Sequence, residues 1–223
     1  MKKINVGILG TIGVGKTTLL RHLETALKAV DPSVVVKAEP AVTIPFINEA
    51  LKKFYTDNGG WSYPLQLCIS AAQETFFQEL RESDYQYSLF DMPYSSDIYS
   101  YSHSKRGNMT IDSHYDLENI GSHFPFDYII LINEDKDTTI ERIMARNKDA
   151  TDGKNTNSQK DVSIEDFAYL DNHIADFKEY QEVWLNRFKS DNPKIKIIRL
   201  QHIPELTSPE YDILIDKLVE IVK

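Results

Sequence analysis

Short runs of β-branched and aromatic residues alternate along the chain with stretches in which apolar residues recur every three or four positions. The runs are INVGIL (4–9), VVVKA (34–38), YSLFD (87–91), YIILIN (128–133) and IKIIRL (195–200). Strand-like runs separated by helical periodicity predict a parallel sheet with helical crossovers, an α/β fold. Leu19, Leu20, Leu23, Leu27 and Val30 keep helical spacing until Asp31-Pro32-Ser33 stops them, which predicts an amphipathic helix over 16–30. Further helices are predicted over 63–83, from near Tyr94, and over 162–188, where Phe167, Leu170, Ile174, Phe177, Val183 and Trp184 recur. There is no internal repeat. The single compositional break, DATDGKNTNSQKD (149–161), is polar and contains glycine, and predicts a mobile loop between helices rather than a domain linker.

Length narrows this to one domain, because 223 residues suffice for one well-buried α/β unit and fall short of two. With 34 acidic against 25 basic side chains, a formal charge of −9, a broad nucleic-acid or anionic-membrane surface is not expected and small-molecule partners are. The lone Cys68 rules out an intrachain disulfide and reads as a small buried apolar residue; the six histidines form no zinc-spaced cluster. Strand-like sequence from Ile4 leaves no room for a leader, and no apolar run approaches the roughly 20 residues of a membrane span. A cytoplasmic protein is expected.

The first strand run leads into GTIGVGKTT. Gly10, Gly15, Lys16 and Thr17 satisfy G-x-x-x-x-G-K-[ST], between a strand and a helix as the chemistry requires. Glycine lets backbone wrap a phosphate without Cβ clashes, so the N–H groups of Gly13, Val14, Gly15, Lys16, Thr17 and Thr18 and the helix dipole supply positive potential. Lys16 reaches the outer phosphates, and the Thr17 hydroxyl is suited to Mg²⁺. This predicts a nucleoside-triphosphate site.

Two acids close neighbouring strand runs, Glu39 in VVVKAEP and Asp91 in YSLFDMP. In an open parallel sheet both strand ends face the same crevice as the phosphate loop. An acid beside the metal and triphosphate can hold Mg²⁺ through water, and one farther out can take the proton of an attacking hydroxyl. Taken singly, each is also suited to cap a helix.

GTIGVGKTT, EP, FYTDNGGWSYPLQ, DMPYSSDIY, ERIMARNKD and YLDNHIADFKEYQEVWL, in this order and spacing, resemble the deoxynucleoside kinase family over almost the whole chain. The resemblance implies one P-loop NTPase domain, a five-stranded parallel sheet between helices in three layers, with a lid segment at about 142–162. It implies a homodimer that transfers the γ-phosphate of ATP, with Mg²⁺, to the 5′-hydroxyl of a small-molecule deoxynucleoside in nucleotide salvage. Glu39 then matches the catalytic base, and Asp91 the acid near Mg²⁺. Tyr55 matches the tyrosine on the sugar 3′-hydroxyl, Gln66 the amide on the base edge, and Trp61 and Leu65 the pocket walls. An amide offers a donor and an acceptor together, so Gln66 can pair with a ring nitrogen and its exocyclic neighbour. Arg142 and Arg146, four apart on one helix face, resemble the lid arginines that grip the transferring phosphoryl group, and Lys148 adds charge at the lid tip.

Two departures stand out. Asp97 falls where the family has a second base-contacting acid, but Gln73 stands where many members pair that acid with an arginine. Met92-Pro93 stands where the family has Arg-Ser, and methionine cannot bind phosphate. Either Lys105, Arg106 or another cation substitutes, or the acceptor differs, or the protein binds nucleotide without efficient transfer. A nucleoside monophosphate kinase and a non-catalytic nucleotide-binding protein are therefore the alternatives. NKDA at 147–150 is no guanine-reading motif, since it lacks the acid at its fourth position and lies on a helix.

Overall fold

The computed structural model of the chain describes residues 3–56, 58–91, 125–151 and 167–223. Five parallel strands form one sheet in the order β2-β3-β1-β4-β5: β1 (Ile4–Gly10), β2 (Val34–Lys37), β3 (Tyr87–Asp91), β4 (Tyr128–Ile132) and β5 (Lys196–Leu200). Between and after them lie α1 (Lys16–Lys28), α2 (Pro40–Thr43), α3 (Pro45–Thr56), α4 (Asn58–Glu82), α5 (Lys136–Thr151), α6 (Phe167–Asp191) and α7 (Pro209–Val222). The first strand is central, paired to β3 on one side (Ile4↔Tyr87 to Ile8↔Asp91) and to β4 on the other (Val6↔Tyr128 to Gly10↔Ile132).

Successive strand residues point to opposite faces, and the two faces have separate cores. Ile4, Val6 and Ile8 of β1, with Leu89, Ile130 and Ile132, pack against Leu19, Leu23 and Leu27 of α1 and Tyr211, Leu218 and Val222 of α7. Leu9, Phe90, Ile129 and Leu131 face the other way, onto Phe77 and Leu80 of α4 and Phe177, Trp184, Leu185 and Phe188 of α6. These are the three expected layers. A smaller cluster, Ile47, Leu51 and Phe54 of α3 with Leu65 and Ile69 of α4, closes the seam between those helices.

Strand positions agree with the apolar runs to within a residue or so at each end. Helix limits differ more. The first helix ends at Lys28 rather than 30 and leaves Val30 49% exposed, because the residue before Pro32 resists helical geometry and the turn closes early. In α6 the buried partner of Trp184 is Leu185, and Val183 is 45% exposed. The helix expected over 63–83 begins at Asn58, with Pro64 in its second turn, where the missing N–H costs one internal bond. The expected loop at 149–161 yields its first residues to α5, which runs to Thr151. The rest of that loop, the start of the helix expected over 162–188, the helix near Tyr94, and Met92, Pro93, Asp97, Lys105 and Arg106 lie outside the described residues.

Candidate active site

The phosphate loop joins β1 to α1 and is held in shape by two glycines in the left-handed region. Gly15 caps α1 with φ 98°, and Gly13 has φ 82°. A Cβ on Gly13 would lie 2.5 Å from Ile143 Cγ1, so α5 packs directly on the loop at that point. Ile12 joins the same contact, against Ile140, Ile143 and Ile174. The loop therefore rests on a hydrophobic bed supplied by α5 and α6. Lys16 folds over the loop and donates from Nζ to the carbonyls of Gly10 and Thr11, each at 2.9 Å. Gln181, buried on α6, donates to the Gly10 carbonyl at 3.4 Å.

The two residues expected at the metal come together. Register places Asp91 opposite Ile8, just below the loop, and the Thr17 hydroxyl donates to Asp91 Oδ2 at 2.7 Å. Asp91 is 3% exposed, a carboxylate kept where a charge is costly unless it is matched. A hydroxyl and one carboxylate form an all-oxygen donor pair suited to Mg²⁺, which keeps most of its shell for water and phosphate. No cluster of three or more His, Cys, Asp or Glu able to hold a metal occurs among the described residues.

Glu39 sits two residues past the end of β2, the strand next to the one that carries Asp91. Its backbone (φ −53°, ψ 124°) is the extended geometry that a following proline imposes. Pro40 then opens α2, so the pair EP turns the chain from strand to helix with the acid at the corner. Beyond it, α4 turns a polar stripe inward: Ser62, Gln66, Ser70 and Gln73 are all buried, at helical spacing. Ser70 Oγ donates to the Gln66 carbonyl at 2.6 Å, while Gln66 Oε1 is buried with no hydrogen-bond partner among the described residues. A buried amide oxygen left in that state costs free energy in the isolated protein. Leu65 lies in the α3–α4 seam, and Trp61 packs beside it under the ammonium of Lys53, 4.3 Å from the ring centre. Tyr55 is on α3, but its side chain lies outside the described residues.

Arg142 and Arg146 both fall within α5. The side chains of Arg146 and Lys148 lie outside the described residues. Arg142 turns toward the phosphate loop, where Nη1 lies 3.4 Å from the Val14 carbonyl and 3.0 Å from Glu134 Oε2, and Nη2 donates to the Ile203 carbonyl at 3.0 Å. Its partner Glu134 is 1% exposed and also takes the Ile203 N–H at 3.2 Å and His202 Nδ1 at 2.9 Å. Burial pushes the Glu134 carboxyl up. The hydrogen bonds from His202 and Ile203 and the charge of Arg142 outweigh it and hold the group below the usual range. Lys178 of α6 donates to the Glu134 carbonyl. Sequence reasoning missed Glu134, His202, Lys178 and Gln181. One signal was present for the first of these, since YIILINED ends in acids as the second and third strand runs do.

A profile of the family described as deoxynucleoside kinase matches residues 6–158. The fold is similar to solved structures of deoxyadenosine kinase from M. mycoides. The form with the products dCMP and a flexible dCDP bound has a TM-score of 0.65 at 16% identity, covering 97% of this chain and 100% of that one. The form with bound dATP has a TM-score of 0.66, also at 16% identity, covering 96% and 99%. No curated protein matches the chain by sequence. Since the family match starts within β1, passes the end of α5 and takes in the phosphate loop, Glu39 and Asp91, the chain belongs to the deoxynucleoside kinase family, enzymes that phosphorylate nucleosides.

Proposed function

We propose that this kinase transfers the γ-phosphoryl group of ATP to the 5′-hydroxyl of a deoxynucleoside, with Glu39 as general base and Mg²⁺ held at Thr17 and Asp91. The observation that carries the reading is the Thr17–Asp91 hydrogen bond, which joins the phosphate loop to the acid of the next strand, with Glu39 one strand farther along the same edge. Bound Mg²⁺ supplies charge that offsets the phosphate oxygens. The loop N–H groups and Lys16 hold the donor phosphates, and Arg146 adds charge from α5. Glu39 accepts the proton of the acceptor hydroxyl. Little covalent chemistry falls to the protein in phosphoryl transfer, so these groups act by position and electrostatics.

The inward stripe of α4 supports an uncharged acceptor. Ser62, Gln66, Ser70 and Gln73 carry no charge, and Gln66 offers its open amide oxygen to a base N–H. Asp97 and Tyr55 complete the pocket in this reading. The physiological setting is nucleotide salvage in the cytoplasm by a homodimer. Among the described residues no helix is long and apolar enough to cross a membrane.

The deciding experiment is an ADP-release assay with Mg²⁺-ATP against the four deoxynucleosides and their monophosphates, with Lys16→Ala as the blank. Turnover with deoxynucleosides is expected; turnover with monophosphates alone would overturn the acceptor assignment. Glu39→Gln is expected to bind deoxynucleoside within a few-fold of the parent and to lose at least ~100-fold in kcat, the scale of a general base. A fully active Glu39→Gln enzyme would remove Glu39 from that role.

A further inference from the structure

The reading of the phosphate loop as the donor site leaves open what keeps that loop in place on the side away from Asp91. Three contacts converge there. Arg142 reaches the Val14 carbonyl. Ile203 meets the loop at Gly15, where a Cβ on the glycine would lie 3.7 Å from Ile203 Cδ1. Ile143, one residue after Arg142, packs on Gly13. The segment carrying Ile203 and the helix carrying Arg142 are far apart in sequence, and Glu134 binds both: Oε2 takes the Arg142 guanidinium at 3.0 Å and the Ile203 N–H at 3.2 Å, and Oε1 takes His202 at 2.9 Å. Arg142 closes the circuit by donating to the Ile203 carbonyl.

We propose that Glu134 is a positioning residue of the donor site: it braces Val14 and Gly15 from behind through Arg142 and Ile203, and so sets how tightly the loop holds the donor phosphates. In this reading it acts on the loop through Arg142 and Ile203. Its loss frees Arg142 and the 202–203 backbone together and lets the loop relax away from phosphate-binding geometry. Among the described residues, the proposed acceptor pocket on α3 and α4 shares none of these contacts. The effect therefore falls on one substrate alone, which a general loss of structure would not produce.

The inference rests on the proposed donor site, so the test reads donor and acceptor separately. Mg²⁺-ADP binding is measured by calorimetry, and KM is measured for ATP and for the best deoxynucleoside, in the parent, Glu134→Gln, Arg142→Gln, the double variant and His202→Phe. Glu134→Gln keeps the size of the side chain and removes its charge. It is expected to weaken Mg²⁺-ADP binding and raise the KM for ATP by about tenfold, the scale of a small misplacement of a binding group, with the deoxynucleoside KM within twofold. Arg142→Gln should match it, and the double variant should lose little more than either single one. His202→Phe changes a side chain that is 61% exposed and poses little risk to folding; it is expected to shift donor binding in the same direction by a smaller factor. Donor binding as in the parent in Glu134→Gln, or equal losses for donor and acceptor, would overturn the proposal. If Glu134→Gln does not fold, unchanged donor binding in both Arg142→Gln and His202→Phe overturns it. A parent protein that fails to bind Mg²⁺-ADP at all would overturn the donor-site reading instead, and this inference with it.

Discussion

At Gly13 two constraints meet at one residue. The φ of 82° is strained for any side chain, and Ile143 occupies the space a methyl group would need. Gly13→Ala is expected to lower stability by roughly 1 to 3 kcal/mol, the cost of one strained backbone position, and to lower turnover with ATP more than its loss of Tm would suggest. Adding Ile143→Ala removes the clash but not the strained φ, so activity should return only in part; full recovery would show that sterics alone hold the loop. Met92 raises a different question at the same scale. By the family resemblance, methionine stands where the family has a phosphate-binding arginine, and a charge-assisted bond lost from a dry site is worth about 2 to 4 kcal/mol of transition-state stabilisation. Met92→Arg is expected to raise kcat if no other cation fills the role. An unchanged or lower kcat would assign that role to a residue such as Lys105 or Arg106.

Among the elements, α4 shows the tension between stability and function most directly. Its inward face mixes the apolar seam with α3 and the neutral polar stripe of Ser62, Gln66, Ser70 and Gln73. Gln66 Oε1 is buried without a partner among the described residues, so Gln66→Leu is expected to stabilise the ligand-free protein by about 1 kcal/mol and to raise the deoxynucleoside KM sharply. Thermal scans with and without deoxynucleoside test both halves. A drop in Tm would mean that the amide is structural. The stripe was legible only in part. Gln66 and Gln73 stood out through the family resemblance, whereas Ser62 and Ser70 are unremarkable as letters, and Ser62 joins the stripe only once the helix is seen to start at Asn58. α3 escaped the sequence reading because its apolar face, Ile47, Leu51 and Phe54, follows two prolines and a short helical turn that break the pattern. The phosphate loop and both strand-end acids were legible because local chemistry fixes them: a glycine turn after a strand, and acids where apolar runs stop. Glu134 belongs to the same class by position. Its function as a hub was not legible, since its partners His202 and Ile203 lie 68 and 69 residues away and only the completed sheet brings them near.

For the molecule as a whole, the held-down Glu134 carboxyl links folding to pH. The folded chain binds a proton there less readily than the unfolded chain, whose carboxyl has the ordinary value of 4.5. Its contribution is present above that value and is lost as pH falls through the lower folded value. The difference in Tm between the parent and Glu134→Gln should therefore be largest near neutral pH and shrink as the solution is acidified below about pH 4.5; a difference constant down to pH 3 would show that the ionised carboxylate is not what stabilises. The central place of β1 has a consequence for synthesis. β1 emerges before either neighbour, yet it pairs with residues 87–91 on one side and 128–132 on the other, and its core face is closed by α7. Until those segments follow, a nearly all-apolar strand has both edges open, and closing such distant pairs is slow. The phosphate loop, first of the catalytic parts to be translated, is thus among the last to acquire its working shape, and the interval before it does is when the nascent chain most needs shielding from its neighbours.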